Sequence, residues 1–165
     1  MAKKLTVSAV NSAAKKVMRE HHLTDVNGEI WTVAVDEKMN PAYAANMAQD
    51  ILILMAKLKD EKAEDQFDFE HNYNVLLFPM IFKYFTDLEI TEKKTAVETI
   101  NAYINMLESL VKLQLLDKLM ECFDKDSMQN TIQKFGEVAI EMSNMVVEQL
   151  NSKLEETEQN IEEAE

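Results

Sequence analysis

Glycine and proline are scarce in this chain, two of each among 165 residues, and that scarcity excludes most sheet architectures. A sandwich or barrel needs a tight turn at nearly every strand end, and such turns draw on Gly and Pro. Cysteine occurs once, as Cys122, so no internal disulfide can form and a reducing compartment, the cytosol, is expected. Long apolar runs are missing too. The longest, Ile51 to Ala56 and Val75 to Phe82, fall far short of the roughly 20 residues that span a bilayer. The opening MAKKLTVSAVNSAAKK is charged but has no continuous apolar core behind it, so no secretion signal is expected. Basic residues are outnumbered, 17 against 30 acidic, and the net charge of −13 repels a phosphate backbone at long range. Neither nucleic acid nor a membrane is expected as a direct partner.

What is plentiful is helix-forming: Ala, Leu, Met, Glu, Lys and Gln. The expected fold is mainly α, a single-domain helical bundle of five to six helices with one small β-hairpin near residues 23–35. The helical domain is expected over residues 1–154 and an acidic, frayed tail over 155–165.

The most regular stretch runs from Thr91, the expected N-cap, to Phe123. Val97, Ile100, Ile104, Leu107 and Val111 recur at steps of three and four, which stacks them in one stripe on a helix. The stripe restarts two residues after Val111, as Leu113, Leu116, Met120 and Phe123. That is a change of face, either a rotated second stripe on one helix or a break near Ser109 and Leu110, and the break is the favoured reading.

Before this stretch, residues 1–22 read as a basic amphipathic helix, with Lys3, Lys4, Lys15, Lys16 and Arg19 against Glu20 and with Val7, Val10, Ala14, Val17 and Met18 on one side. Such a helix can bind an acidic surface or lipid, and the favoured reading is a first helix docked on the core with its lysines in water. Asn27 and Gly28 suit a type I′ turn, and Trp31, Val33 and Val35 alternate with Ile30, Thr32 and Ala34, so a hairpin is expected. An isolated hairpin is only marginally stable, so Trp31 should pack it on a helix or offer its edge to a partner. Asn40 and Pro41 predict a helix start, with Ala44, Met47, Ala48, Ile51, Leu54, Met55 and Leu58 on the buried side as far as about Lys59. Asp60 to Gln66 reads as a linker. Phe67 to Leu88 carries five of the seven phenylalanines, with Pro79 predicting a kink or a junction. Asp126 and Gln129 stand in capping-box relation for a last helix with the stripe Met128, Ile132, Phe135, Ala139, Met142, Val146 and Leu150.

Chemistry is hard to place on this frame. His21, His22 and His71 stand in no metal-binding motif, and Asp65, Asp68 and His71, three residues apart, read as a solvated acidic face. A calcium loop from Asp25 would put Ile30 where glycine and Asp36 where glutamate must stand, and one at Asp124 to Asp126 would need glycine at Gln129. A helix-ending turn suits the latter better. Cys122 has no histidine near it in sequence, lies among Leu119, Met120 and Phe123, and reads as an inert buried thiol. No catalytic residue, cofactor or metal is expected. The 11 methionines fit either core filler or an adaptable groove.

The run IFKYFTDLEITEKKTAVETINAYINMLESLVKLQLLDKLMECF, Ile81 to Phe123, followed by a further helix and a glutamate tail, resembles small acidic helical proteins of tailed bacteriophages of low-GC Gram-positive bacteria. It is most similar to their accessory and tail-assembly proteins. That resemblance implies a non-enzymatic protein that binds other chains, virion or host, in the host cytoplasm or in the virion. The residues expected to do so are Leu113, Leu116, Met120, Phe123 and Trp31, with a homo-oligomer as one outcome. The charge alone suggests a second role, an acidic inhibitor of a host nucleic-acid-binding or defence protein.

Overall fold

The computed structural model describes residues 18–63, 67 and 74–162, the side chains of Ser143 and of residues 146–162 excepted. The basic segment up to residue 17, Asp65, Asp68 and His71 lie outside the described residues. The elements are β1 Arg19–Thr24, β2 Ile30–Val35, a 3-10 turn Pro41–Tyr43, α1 Ala44–Asp60, α2 Asn74–Phe85, α3 Ala96–Lys112, α4 Leu116–Glu121 and α5 Lys125–Glu162. The chain is mainly helical, with one antiparallel hairpin in a single small domain, as its composition predicts.

The hairpin starts earlier than expected. Arg19 to His22, assigned from sequence to the end of the basic helix, pair instead with Val35 to Thr32. Nor do Asn27 and Gly28 close a two-residue turn. Thr24 pairs with Ile30, which leaves Asp25 to Glu29 as the loop, and Gly28 supplies its one left-handed position, φ +83°. Val33 and Val35 are buried, and the far edge of β2 joins the end of α2 through Asp36 N–H to Phe85 O (2.8 Å) and Asp87 N–H to Ala34 O (3.1 Å). The sheet is thereby fixed to the helical core.

Asn40 caps the 3-10 turn that leads into α1, its side chain accepting from the Ala42 amide at 3.0 Å. The expected buried side of α1 is observed except for Met55, which is exposed. Pro79 sits inside α2 and is itself buried, so the aromatic segment is one helix there, with Phe82 and Phe85 fully buried.

α3 begins at Thr95 and not at Thr91. Thr95 forms a capping box with Glu98, and Glu61, at the end of α1, accepts from the Ala96 amide at 2.7 Å. A carboxylate there also meets the positive end of the helix dipole. Of the stripe, Ile100 is buried, Val97, Ile104 and Leu107 are half-buried, and Val111 is exposed. The break comes four residues later than expected, at Leu113 to Leu115.

That break shows how a glycine-poor chain ends its helices. Gln114 takes φ +55°, its N–H donates to Val111 O (2.9 Å), and Leu115 N–H reaches back to Leu110 O (2.8 Å). This pair of bonds is a Schellman motif. α1 ends the same way, with Lys62 at φ +53°, Lys62 N–H to Lys59 O (3.0 Å) and Ala63 N–H to Leu58 O (2.9 Å). Glycine usually holds this position; here Gln and Lys do.

α5 is capped by Asp124, whose Oδ1 accepts from the Ser127 amide at 2.9 Å, so the expected box at Asp126 and Gln129 is replaced by a cap two residues earlier. The Asp124 to Asp126 turn follows the end of α4 at Glu121, as expected, and at once opens α5 at Lys125. Thr131, fully buried, donates to Met39 O at 3.0 Å and ties α5 to the turn before α1, along which α5 packs. The helix backbone continues without a break through residue 154 to Glu162.

Candidate interaction surface

The hairpin tip is organised by one buried carboxylate. Asp25 Oδ1 accepts from the Asn27 and Glu29 amides at 2.8 and 2.9 Å, and Oδ2 accepts from the indole N–H of Trp31 at 3.1 Å. Burial works against the charge of Asp25, but the bonds from Trp31, Glu29 and Asn27 outweigh it and hold the carboxyl below its ordinary 3.8. Two further bonds seat the tip on the junction of α3 and α4: Val26 N–H donates to Leu113 O at 3.1 Å, and Lys118 Nζ donates to Thr24 O. Leu113 is the C-cap of α3, so the hairpin satisfies a carbonyl that the helix leaves open.

The consequence is a polar frame that holds apolar side chains in solvent. Val26 is 53% exposed, Ile30 71% and Trp31 47%. Single exposed hydrophobics are ordinary. Here three gather on one anchored tip, and because Ile30 and Trp31 are consecutive in β2 they stand on its opposite faces, so the tip presents apolar side chains on both sides. Val111, in the last turn of α3, adds another exposed apolar side chain close in sequence to Leu113.

The other expected contact residues are placed differently. Phe123 is buried, Leu116 and Met120 are half-buried against the core, and Leu113 is half-buried under the hairpin tip. Of the five, Trp31 alone is exposed. Val26 carried no signal in sequence, whereas Ile30 stands opposite the buried Val33 and Val35, as the alternation along β2 implies.

Between β1 and α4 lies a groove lined by His21, His22, Glu37, Lys118, Glu121 and Cys122. The fold thus brings a histidine to the groove of the cysteine, which sequence spacing did not show. The thiol, half-buried and not fully buried as expected, donates to Lys118 O at 3.3 Å, and burial, Glu37 and Glu121 push its pKa up. His21 Nε2 lies 3.0 Å from Glu37 Oε1 without the geometry of a hydrogen bond, and Arg19 Nη1 lies 3.0 Å from Glu37 Oε2.

A second polar cluster gathers around Lys83. Lys83 Nζ sits 2.7 Å from Asp50 Oδ2 and 3.0 Å from Glu92 Oε1, and the Tyr84 hydroxyl donates to Asp50 at 2.8 Å. Burial opposes the Lys83 charge, but Asp50 and Glu92 outweigh it and raise its pKa. Burial and the bond to Asp50 push Tyr84 up to about 12. The cluster ties α1 and α2 to the segment before α3.

Among the described residues, no three His, Cys, Asp or Glu side chains are grouped to hold a metal, and no helix is long and apolar enough to cross a membrane. What fold and surface define is a small helical domain presenting an anchored apolar hairpin tip. The chain belongs to the YomO family, whose match covers residues 7–165. That is a phage-region family, which fits the phage character of the resemblance seen in Ile81 to Phe123. No curated protein and no solved structure matches the chain.

Proposed function

We propose that this is a non-enzymatic interaction protein of a phage, an assembly or virion-associated factor, which binds another virion protein through the hairpin tip. The observation that carries this reading is the exposure of Val26, Ile30 and Trp31 on a tip fixed by Asp25, Leu113 and Lys118. Preorganised loops lose little entropy on binding, and aromatic anchors supply much of the affinity of protein interfaces. Val26→Glu with Ile30→Glu places charge on the patch and leaves the Asp25 frame intact. The tagged protein should capture a virion structural protein from infected cells, and the double variant should lose it while keeping the wild-type circular dichroism. Undiminished capture by the variant would move the interface elsewhere. The net charge of −13 favours one other reading, an acidic inhibitor of a nucleic-acid-binding protein. Capture of a nuclease or polymerase by both proteins, weakened by salt, would select it.

A further inference from the structure

α5 is far longer than the domain needs. Its 38 residues extend roughly 57 Å at 1.5 Å per residue, while α1, along which it packs, has 17 residues, about 25 Å. The half that packs does so through Met128, Thr131, Ile132, Phe135, Ala139 and Met142, all buried or half-buried. Ile140, one residue and so about 100° round the helix from Ala139, is 66% exposed. From Ile140 a new repeat begins. Val147, Leu154 and Ile161 follow at intervals of seven, with Ser143, Leu150 and Thr157 three residues after each of the first three. Those are the a and d positions of a coiled-coil seam, free of charge throughout. The glutamates fall elsewhere, Glu141, Glu148, Glu155 and Glu162 all standing one residue after an a position.

We propose that a second copy of this chain covers that seam, and that the protein dimerises as a parallel, in-register coiled coil from Ile140 to Ile161. Two features choose the occupant and its direction. At Val147 and Leu150 the seam has the β-branched a and the Leu d that favour two parallel strands, while Leu154 at a and Ser143 and Thr157 at d add no such preference. The only charges flanking the seam between Ile140 and Ile161 are Lys153 at g and Glu158 at the following e, five residues on. In a parallel dimer g meets the partner's next e, so Lys153 faces Glu158 of the second copy twice by symmetry. An antiparallel pair sets g against g and e against e, which leaves Lys153 without a glutamate. The inference is independent of the hairpin-tip reading, because the two surfaces share no residue.

Size-exclusion chromatography with light scattering across a wide concentration range tests association. The mass should rise to twice that of the chain, and Val147→Glu with Leu150→Glu should return it to the monomer while the Trp31 fluorescence, a report on the distant hairpin, stays unchanged. A chain that is monomeric at every concentration reached, or a dimer that survives the double variant, overturns the proposal. Direction is read in a Cys122→Ser background. Val147→Cys and Ile161→Cys should each cross-link to their own copy on oxidation. An antiparallel dimer permits at most one of the two, so failure of either cross-link refutes the parallel arrangement. Glu158→Lys should weaken the dimer and Lys153→Glu added to it should restore it, whereas equal affinity in all three proteins would remove the charge pair from the argument and overturn the stated register.

Discussion

Gln114 and Lys62 hold the left-handed position of two Schellman motifs, at φ +55° and +53°, where a side chain beyond hydrogen is a burden. A residue with a Cβ loses about 1–2 kcal/mol in that region. Glycine loses nothing there but gives up about 0.5–1 kcal/mol through its freer unfolded state. The difference predicts that Gln114→Gly stabilises the protein by about 0.5–1 kcal/mol, and that Lys62→Gly does the same. For a chain of this size each kcal/mol is worth roughly 2–4 °C in Tm. Urea unfolding gives the cleaner measurement, since a shift in midpoint at constant slope isolates stability from compactness. Gln114→Val supplies the opposite sign, because a β-branched residue is least tolerated at positive φ. If Gln114→Gly were neutral or destabilising while the slope held constant, the bonds to Val111 and Leu110 would not be setting the end of α3.

Two further outcomes follow from packing and charge. Leu116→Glu with Met120→Glu should abolish the cooperative transition, because both side chains pack against the core and buried charge without a partner costs several kcal/mol; a double variant that keeps a sharp melt would return those residues to the surface. The carboxyls of Asp25 and Asp124 both lie below their ordinary 3.8, Asp25 with burial opposing bonds from Trp31 and the loop amides, Asp124 through its bonds with Ser127. Folding therefore favours their ionised forms, and that stability is fully present above the unfolded value and lost as pH falls through the lower folded one. Acid titration of Asp124→Ala should show a shallower loss between about pH 4 and pH 2 than the wild type, and an identical acid limb would mean that the cap adds nothing.

Helix content was legible because it is written in periods of three and four, and Asn40 with Pro41 marked the start of α1 without help from the rest of the chain. Other boundaries depend on distant residues. Thr91 and Thr95 are equally good caps by type, and only the latter is followed three residues on by glutamate. What decides between them is tertiary: Lys83 bonds Glu92 at 3.0 Å, and Glu61 reaches the first amides of α3. β1 is similar. Arg-Glu-His-His-Leu-Thr has little strand character of its own and takes it from β2, whose Val33 and Val35 are buried in the core. Such pairing overrides local propensity, as strands generally show.

The second apolar stripe is the most instructive case. Leu113, Leu116, Met120 and Phe123 restart the repeat out of phase, and on one continuous helix they would present a separate face. Gln114 removes the premise. A left-handed residue there ends α3 and redirects the chain, so the phase shift in sequence is cancelled by a turn in space, and Leu119 of α4 and Phe123 just after it enter the same core. No glycine announces that turn, which is why periodicity alone could not place it. α5 offers the contrast. Its phase shift between Ala139 and Ile140 occurs within an unbroken helix, nothing turns the chain, and Ile140 stands 66% exposed where Ala139 is half-buried. The same sequence signal thus returns side chains to the core where the backbone breaks, and at Ile140, where it does not, it leaves one in solvent.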